Sequence, residues 1–174
     1  MNIFEADYGI GPLIDVENSI LDGIEKLFER NSREPGFDGL WMNEYGEVLL
    51  GALFVSVQAY CLGSLRDINQ IRDSLGLAKL EKEDAYKMHH VSVQGYSLLE
   101  LVNCTANYFK HRDEWKNAWP DNYTTKVLTA FSAVGEFPIN EVQQSIEVNY
   151  DYKKLSSLVA EWRTELIVSA KNES

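Results

Sequence analysis

Apolar positions along this chain recur mostly at every third or fourth residue, the period of a helix buried on one side. Val16, Ile20, Ile24, Leu27 and Phe28 follow that period and predict a first helix from Asp15, a good capping residue, to about Arg30. Met1 to Gly11 reads as an irregular lead-in. Ser32 to Gly46 contains Pro35, Gly36, Gly39 and Gly46 and reads as a long loop, with Phe37, Leu40 and Trp41 apolar enough to pack down. A second helix is predicted from Glu47 to Leu75, its first half apolar nearly all round as in a central helix, with Gly76 ending it. The third is predicted from Glu83 to about Lys110, with Gly95 a weak point costing about 1 kcal/mol against Ala. Trp119-Pro120-Asp121 breaks the pattern, and Asp121 or Asn122 caps a fourth helix, Tyr123 to Val134. Asn140 to Glu147 reads as one or two helical turns. A last helix is expected from Asp151 to Ala170, burying Leu155, Leu158, Val159, Trp162, Leu166 and Ile167. No segment alternates with period two for long enough to predict a strand. The expected fold is a single all-α domain over residues 1–174, an antiparallel bundle of four to six helices.

Composition narrows the function classes. With 16 basic and 27 acidic residues the net charge is −11, which repels phosphate backbones, favours basic partners and also serves solubility. Non-specific nucleic-acid binding needs clustered Lys and Arg and is disfavoured. Cys61 and Cys104 lie in apolar helical patterns away from any zinc spacing, so they read as small buried thiols suited to a reducing compartment. The first residues lack a basic start and an apolar signal core. The apolar run Val48 to Gly63 is interrupted by Gln58 and reads as a core helix, not a membrane span. A cytoplasmic protein without a membrane partner is the expectation.

The densest chemistry lies at the end of the third predicted helix, Asn103-Cys-Thr-Ala-Asn-Tyr-Phe-Lys-His-Arg-Asp-Glu-Trp115. At about 100° per residue, Leu98, Val102, Ala106 and Phe109 build a core stripe, while Asn103, Asn107, Lys110 and His111 share a neighbouring arc. His111 has the chemistry of a general acid or base, Lys110 or Arg112 that of a charge stabiliser, and Asn107 that of an orienting group. Basic residues in a last helical turn also complement the helix dipole without any catalytic role. Tyr108, Trp115, Trp119 and Tyr123 gather around the following break, either as packing or as interface anchors. As a binding surface the candidates are Asn103, Asn107, His111, Arg112 and Trp115.

Ala106-Asn107-Tyr108-Phe109-Lys110-His111 resembles the motif of the HEPN superfamily of small helical bundles: an Arg, a polar residue that is often Asn, three variable residues, then His. Asn107 and His111 match in spacing, and Ala106 stands where the family has Arg. The resemblance implies a helical bundle often paired as a homodimer. It also implies one of three functions: metal-independent RNase, toxin–antitoxin component, or degenerate binding protein.

His89 and His90 with Glu81, Glu83 and Asp84 offer metal-ligand types, but adjacent histidines within one helix diverge by about 100°, so no metal and no cofactor are expected. No HExxH, P-loop or G-x-S-x-G motif occurs. The leading expectation is an HEPN-like binding protein without strong catalysis, an acidic immunity or antitoxin-type partner of a basic bacterial nuclease toxin. The alternatives are a metal-independent endoribonuclease acting on RNA through His111, Asn107 and Lys110, and a structural or adaptor bundle.

Overall fold

A computed structural model describes residues 7–34, 39–115 and 118–174. Among them the chain is 74% helical, which puts it in the all-α class, with seven helices packed together and one two-stranded hairpin. The helices are α1 (Ile10–Asn31), α2 (Leu40–Ser74), α3 (Lys82–Lys87), α4 (Leu98–His111), α5 (Tyr123–Ala130), α6 (Pro138–Tyr150) and α7 (Leu155–Glu173). Strands β1 (Ser92–Val93) and β2 (Tyr96–Ser97) lie between α3 and α4. The expected packing of Phe37 falls outside the described residues, as does most of the expected lead-in.

Local chemistry explains where the elements begin and end. α1 starts before Asp15 because the Asp7 carboxylate accepts hydrogen bonds from the N–H groups of Gly9 and Ile10, each at 3.1 Å. Its buried line is therefore Leu13 and Glu17, with Ile20, Leu21 and Ile24 half-buried, whereas Val16 and Phe28 lie exposed at the edges of the predicted face. α2 starts at Leu40, inside the expected loop, after Gly39 turns the chain at φ 79°. It ends as a Schellman motif: Gly76 sits at φ 72°, its N–H donating to the Asp73 carbonyl at 3.0 Å, and Leu77 N–H donates to Arg72 at 2.9 Å.

The single helix expected from Glu83 to Lys110 is in fact α3, a hairpin and α4. Gln94 and Gly95 both have positive φ, 50° and 86°, the requirement of a tight two-residue hairpin turn. The turn pairs Val93 with Tyr96 and Ser92 with Ser97. α4 then begins with a capping box: Ser97 Oγ accepts from Glu100 N–H at 3.1 Å, and the Glu100 carboxylate accepts from Ser97 N–H at 2.7 Å. Gly95 is thus a turn residue, not a weak point in a helix. Asn122 caps α5 as predicted, accepting from Thr125 N–H at 2.9 Å, but α5 stops at Ala130, before a positive φ at Ser132. Asp151, expected to open the last helix, instead closes α6 in a left-handed conformation at φ 58°.

α2 is the central helix and packs against α1, α4, α6 and α7. Its Leu53, Phe54, Val57 and Ile68 meet Leu98, Leu101, Val102 and Ala106 of α4, and Leu155, Leu158, Val159 and Trp162 of α7 in one continuous core. Eighteen residues of α2 reach a mean hydropathy of 1.8, enough by length and composition to cross a membrane, yet half of that stretch is buried inside the protein, as in a core helix. Both cysteines are free and buried, and burial pushes the Cys104 thiol up to about 12.

Two buried glutamates tie the helices together. α7 and α6 have no side-chain cap of their own. Glu17 of α1 accepts from Leu155 N–H at 2.5 Å, Ser156 N–H at 3.2 Å and the Ser156 hydroxyl. Glu47 of α2 accepts from Ile139 N–H at 2.8 Å and Asn140 N–H at 2.9 Å. In each case a carboxylate from another helix satisfies the free N–H groups at a positive helix end.

Candidate functional site

α4 carries the residues singled out by the sequence, and its capping box sets their register. Leu98, Val102 and Ala106 point into the core, as the helical angles predict, and Phe109 packs half-buried against it. Phe109 covers Gly51 of α2, where an added Cβ would stand 2.1 Å from its ring. The two helices approach closely there because Gly51 has no side chain.

That approach brings Gln58 of α2 onto the polar arc. Its Nε2 donates to Asn103 Oδ1 at 2.8 Å and to Asn107 Oδ1 at 3.0 Å. Its Oε1 accepts from Lys110 Nζ at 2.8 Å. Asn103, Asn107 and Lys110 are therefore brought together, as a set closed through one amide. Asn103 is only 9% exposed, so it belongs to the helix–helix seam more than to the surface.

His111 takes a different partner. It lies exposed at the helix end, with Nδ1 3.0 Å from Glu114 Oε1. Arg112 turns back over the Phe109 ring, 5.1 Å from its centroid, and pairs with Glu47 Oε2 at 3.5 Å. Burial pushes the Glu47 carboxyl above the ordinary range, opposed by the N–H groups of Asn140 and Ile139 and by Arg112. Trp115 packs edge-on to Tyr108 at 5.3 Å and to Trp119 at 5.6 Å, and Tyr108 and Trp119 stack at 5.1 Å. Tyr123 is not part of this group: it meets Tyr96 edge-on and donates its hydroxyl proton to Glu100.

Ala106 is fully buried. The position that holds Arg in the HEPN motif therefore faces the core here, on the opposite side of α4 from solvent.

The histidine pair differs from its sequence reading. His89 and His90 lie in the connection after α3, not within a helix, and their rings stack with centroids 4.6 Å apart. Their acidic neighbours are Glu161 and Glu165 of α7, in place of Glu81, Glu83 and Asp84. Gln58, Glu47, Glu161 and Glu165 were not candidates in the sequence; of these, only Gln58 left a signal, as the polar interruption of an apolar run.

No protein-family profile, curated protein or solved structure matches this chain.

Proposed function

We propose that this chain is a helical binding protein that works by protein–protein contact, an HEPN-like bundle with a degenerate motif and the acidic partner of a basic nuclease toxin of bacterial type. The observation that carries the reading is the closed state of the polar arc. The side-chain oxygens of Asn103 and Asn107 and the ammonium of Lys110 are engaged with Gln58. Ala106, which stands where the motif holds Arg, is buried. Transition-state stabilisation of a phosphorane needs a cationic donor aimed at open space, and the arc's one cation, Lys110, is turned onto a neighbouring helix.

Charge supplies the rest. On the outer side of α1, Asp15, Asp22, Glu25 and Glu29 are all exposed and fall within about 80° of one another around the helix, an acidic stripe for a chain of net charge −11. Such a stripe fits the basic cleft with which a nuclease holds its substrate, and association would be fast and salt-sensitive. For the homodimer that the resemblance implies, the face on offer is the exposed side of α2, with Val48, Ala52, Ala59 and Leu62 beside Gln58.

The test is paired. Purified protein is incubated with total RNA in EDTA, and no cleavage is expected from the wild type or from His111→Ala. The same protein is titrated against a panel of cationic bacterial ribonucleases, with inhibition expected for at least one, weakening as salt rises and lost in Asp22→Lys/Glu25→Lys/Glu29→Lys. Cleavage of RNA that disappears in His111→Ala would establish the endoribonuclease reading instead. Failure to inhibit any basic nuclease at low salt would sink the proposal.

A further inference from the structure

We propose that His89, His90 and Glu165 form a binding site for a divalent transition metal of the zinc class, which would pin the connection after α3 to α7. One ligand atom from each of the three lies within 4.8 Å of the others. Donors around a tetrahedral zinc bound at about 2.0–2.1 Å stand roughly 3.3 Å apart, so side-chain adjustment alone, on the order of 1 Å, closes the set. His90 Nδ1 stands 2.7 Å from Glu165 Oε1 and 4.0 Å from Glu161 Oε1, which places Glu161, one helical turn before Glu165, as a fourth ligand or as the group that holds a bound water.

Three independent features favour a ligand here. First, Glu165 Oε2 is buried and has no hydrogen-bond partner among the described residues, and a buried carboxylate oxygen left so is costly. Second, the surroundings already orient the donors. His89 is 3% exposed, and Val91 N–H donates to its Nδ1 at 3.1 Å, which fixes the ring with Nε2 3.5 Å from the Tyr152 hydroxyl; ligation through Nε2 moves the ring proton to Nδ1, where the Val91 C=O at 3.5 Å can accept it. Tyr152 donates to Glu161 Oε2 at 2.5 Å, fixing the second carboxylate from behind. Third, the histidines come from an irregular segment and the carboxylates from a helix, so their convergence is tertiary, and the divergence of adjacent helical side chains does not apply. Two imidazoles with one or two carboxylates suit zinc and its neighbours; calcium and magnesium take oxygen cages.

The experiment is calorimetric titration of the full-length protein, stripped with EDTA and dialysed, with zinc chloride, and with cobalt chloride as a spectroscopic probe. One equivalent is expected to bind, cobalt giving the visible bands of a tetrahedral site, with the midpoint of thermal unfolding rising on zinc addition. His90→Ala and Glu165→Gln, both at partly exposed positions, are expected to weaken zinc at least tenfold while keeping the fold by circular dichroism. Glu83→Gln, in the acidic run on α3, is expected to leave affinity unchanged. Absence of a stoichiometric site, or zinc affinity unmoved in both His90→Ala and Glu165→Gln, overturns the proposal. So does magnesium competing with zinc at equal concentration.

Discussion

Replacing Glu17 by Ala tests whether one buried carboxylate holds α1 to the start of α7. The side chain is 1% exposed and accepts from two backbone N–H groups, those of Leu155 and Ser156, and from the Ser156 hydroxyl. Lys154, at the N-cap position, makes no capping bond with its side chain, which reaches Asn18 instead, so no local group takes over. A buried donor left without an acceptor costs about 1–3 kcal/mol, which gives roughly 2–6 kcal/mol for the two amides. Water entering the space left by the carboxyl offsets part of this, so a loss of about 3 kcal/mol is expected. For a chain of this length that corresponds to a fall of about 6–12 °C in Tm. The assay is guanidinium unfolding followed by fluorescence and far-ultraviolet circular dichroism. The fully buried Trp162 on α7 serves as a reporter, its indole N–H donating to Ala85 C=O at 2.8 Å. Glu17→Gln keeps a carbonyl acceptor and is expected to lose less than half as much. Glu25→Ala, exposed on the same helix, is expected to stay within about 0.5 kcal/mol of wild type. If Glu17→Ala also stays within about 0.5 kcal/mol, capping of α7 from another helix is refuted as a stabilising device.

Three further outcomes follow from particular contacts. Gly51→Val places a Cβ 2.1 Å from the Phe109 ring, and a loss of about 1–3 kcal/mol is expected in denaturant unfolding; adding Phe109→Ala should restore part of it. Gln58→Leu leaves Asn103, Asn107 and Lys110 without their common partner; a loss of about 2 kcal/mol is expected, and a double-mutant cycle with Lys110→Met should show coupling. The Arg72 guanidinium and the Ser169 hydroxyl hold the Glu173 carboxyl down to about 2, below the ordinary 4.5. A carboxyl depressed in the folded state stabilises above its unfolded pKa and loses that contribution as pH falls through the folded value. The stability gap between wild type and Glu173→Gln should therefore be constant above pH 4.5 and close towards pH 2, as read by urea midpoints across that range.

The fold class was legible because it rests on the helical period, which survives wherever a helix has one buried side. Leu155, Leu158, Val159, Trp162 and Leu166 of α7 are all buried as the pattern predicts. The period misled where a helix is peripheral: on α1 the apolar Val16 and Phe28 are exposed while the acidic Glu17 is buried, because Glu17 serves the end of another helix. It also misled where two helices and a hairpin share a continuous apolar texture. The residues 92–97 are too short to show alternation, but Gln94-Gly95 and Ser97-x-x-Glu100 were local signals of a turn and a capping box. Turn chemistry, weighed ahead of periodicity, would have divided that helix correctly.

The candidate site was legible only as far as one helix determines it. Helical angles alone place Asn103, Asn107 and Lys110 on one arc, and the structure brings those three together. They do not say what faces the arc. That depends on Gln58, 45 positions before Asn103, and on Gly51 letting α2 come close enough to reach it. His111 lies one residue further along, past the end of the seam, and its ring falls to Glu114. The same logic governs His89 and His90: their sequence neighbours are acidic, but the carboxylates they meet are on α7, more than seventy positions away. Chemistry assembled within an element can be read from spacing; chemistry assembled between elements needs the packing. In this protein both polar clusters are of the second kind, and each is set by a residue that has no motif of its own.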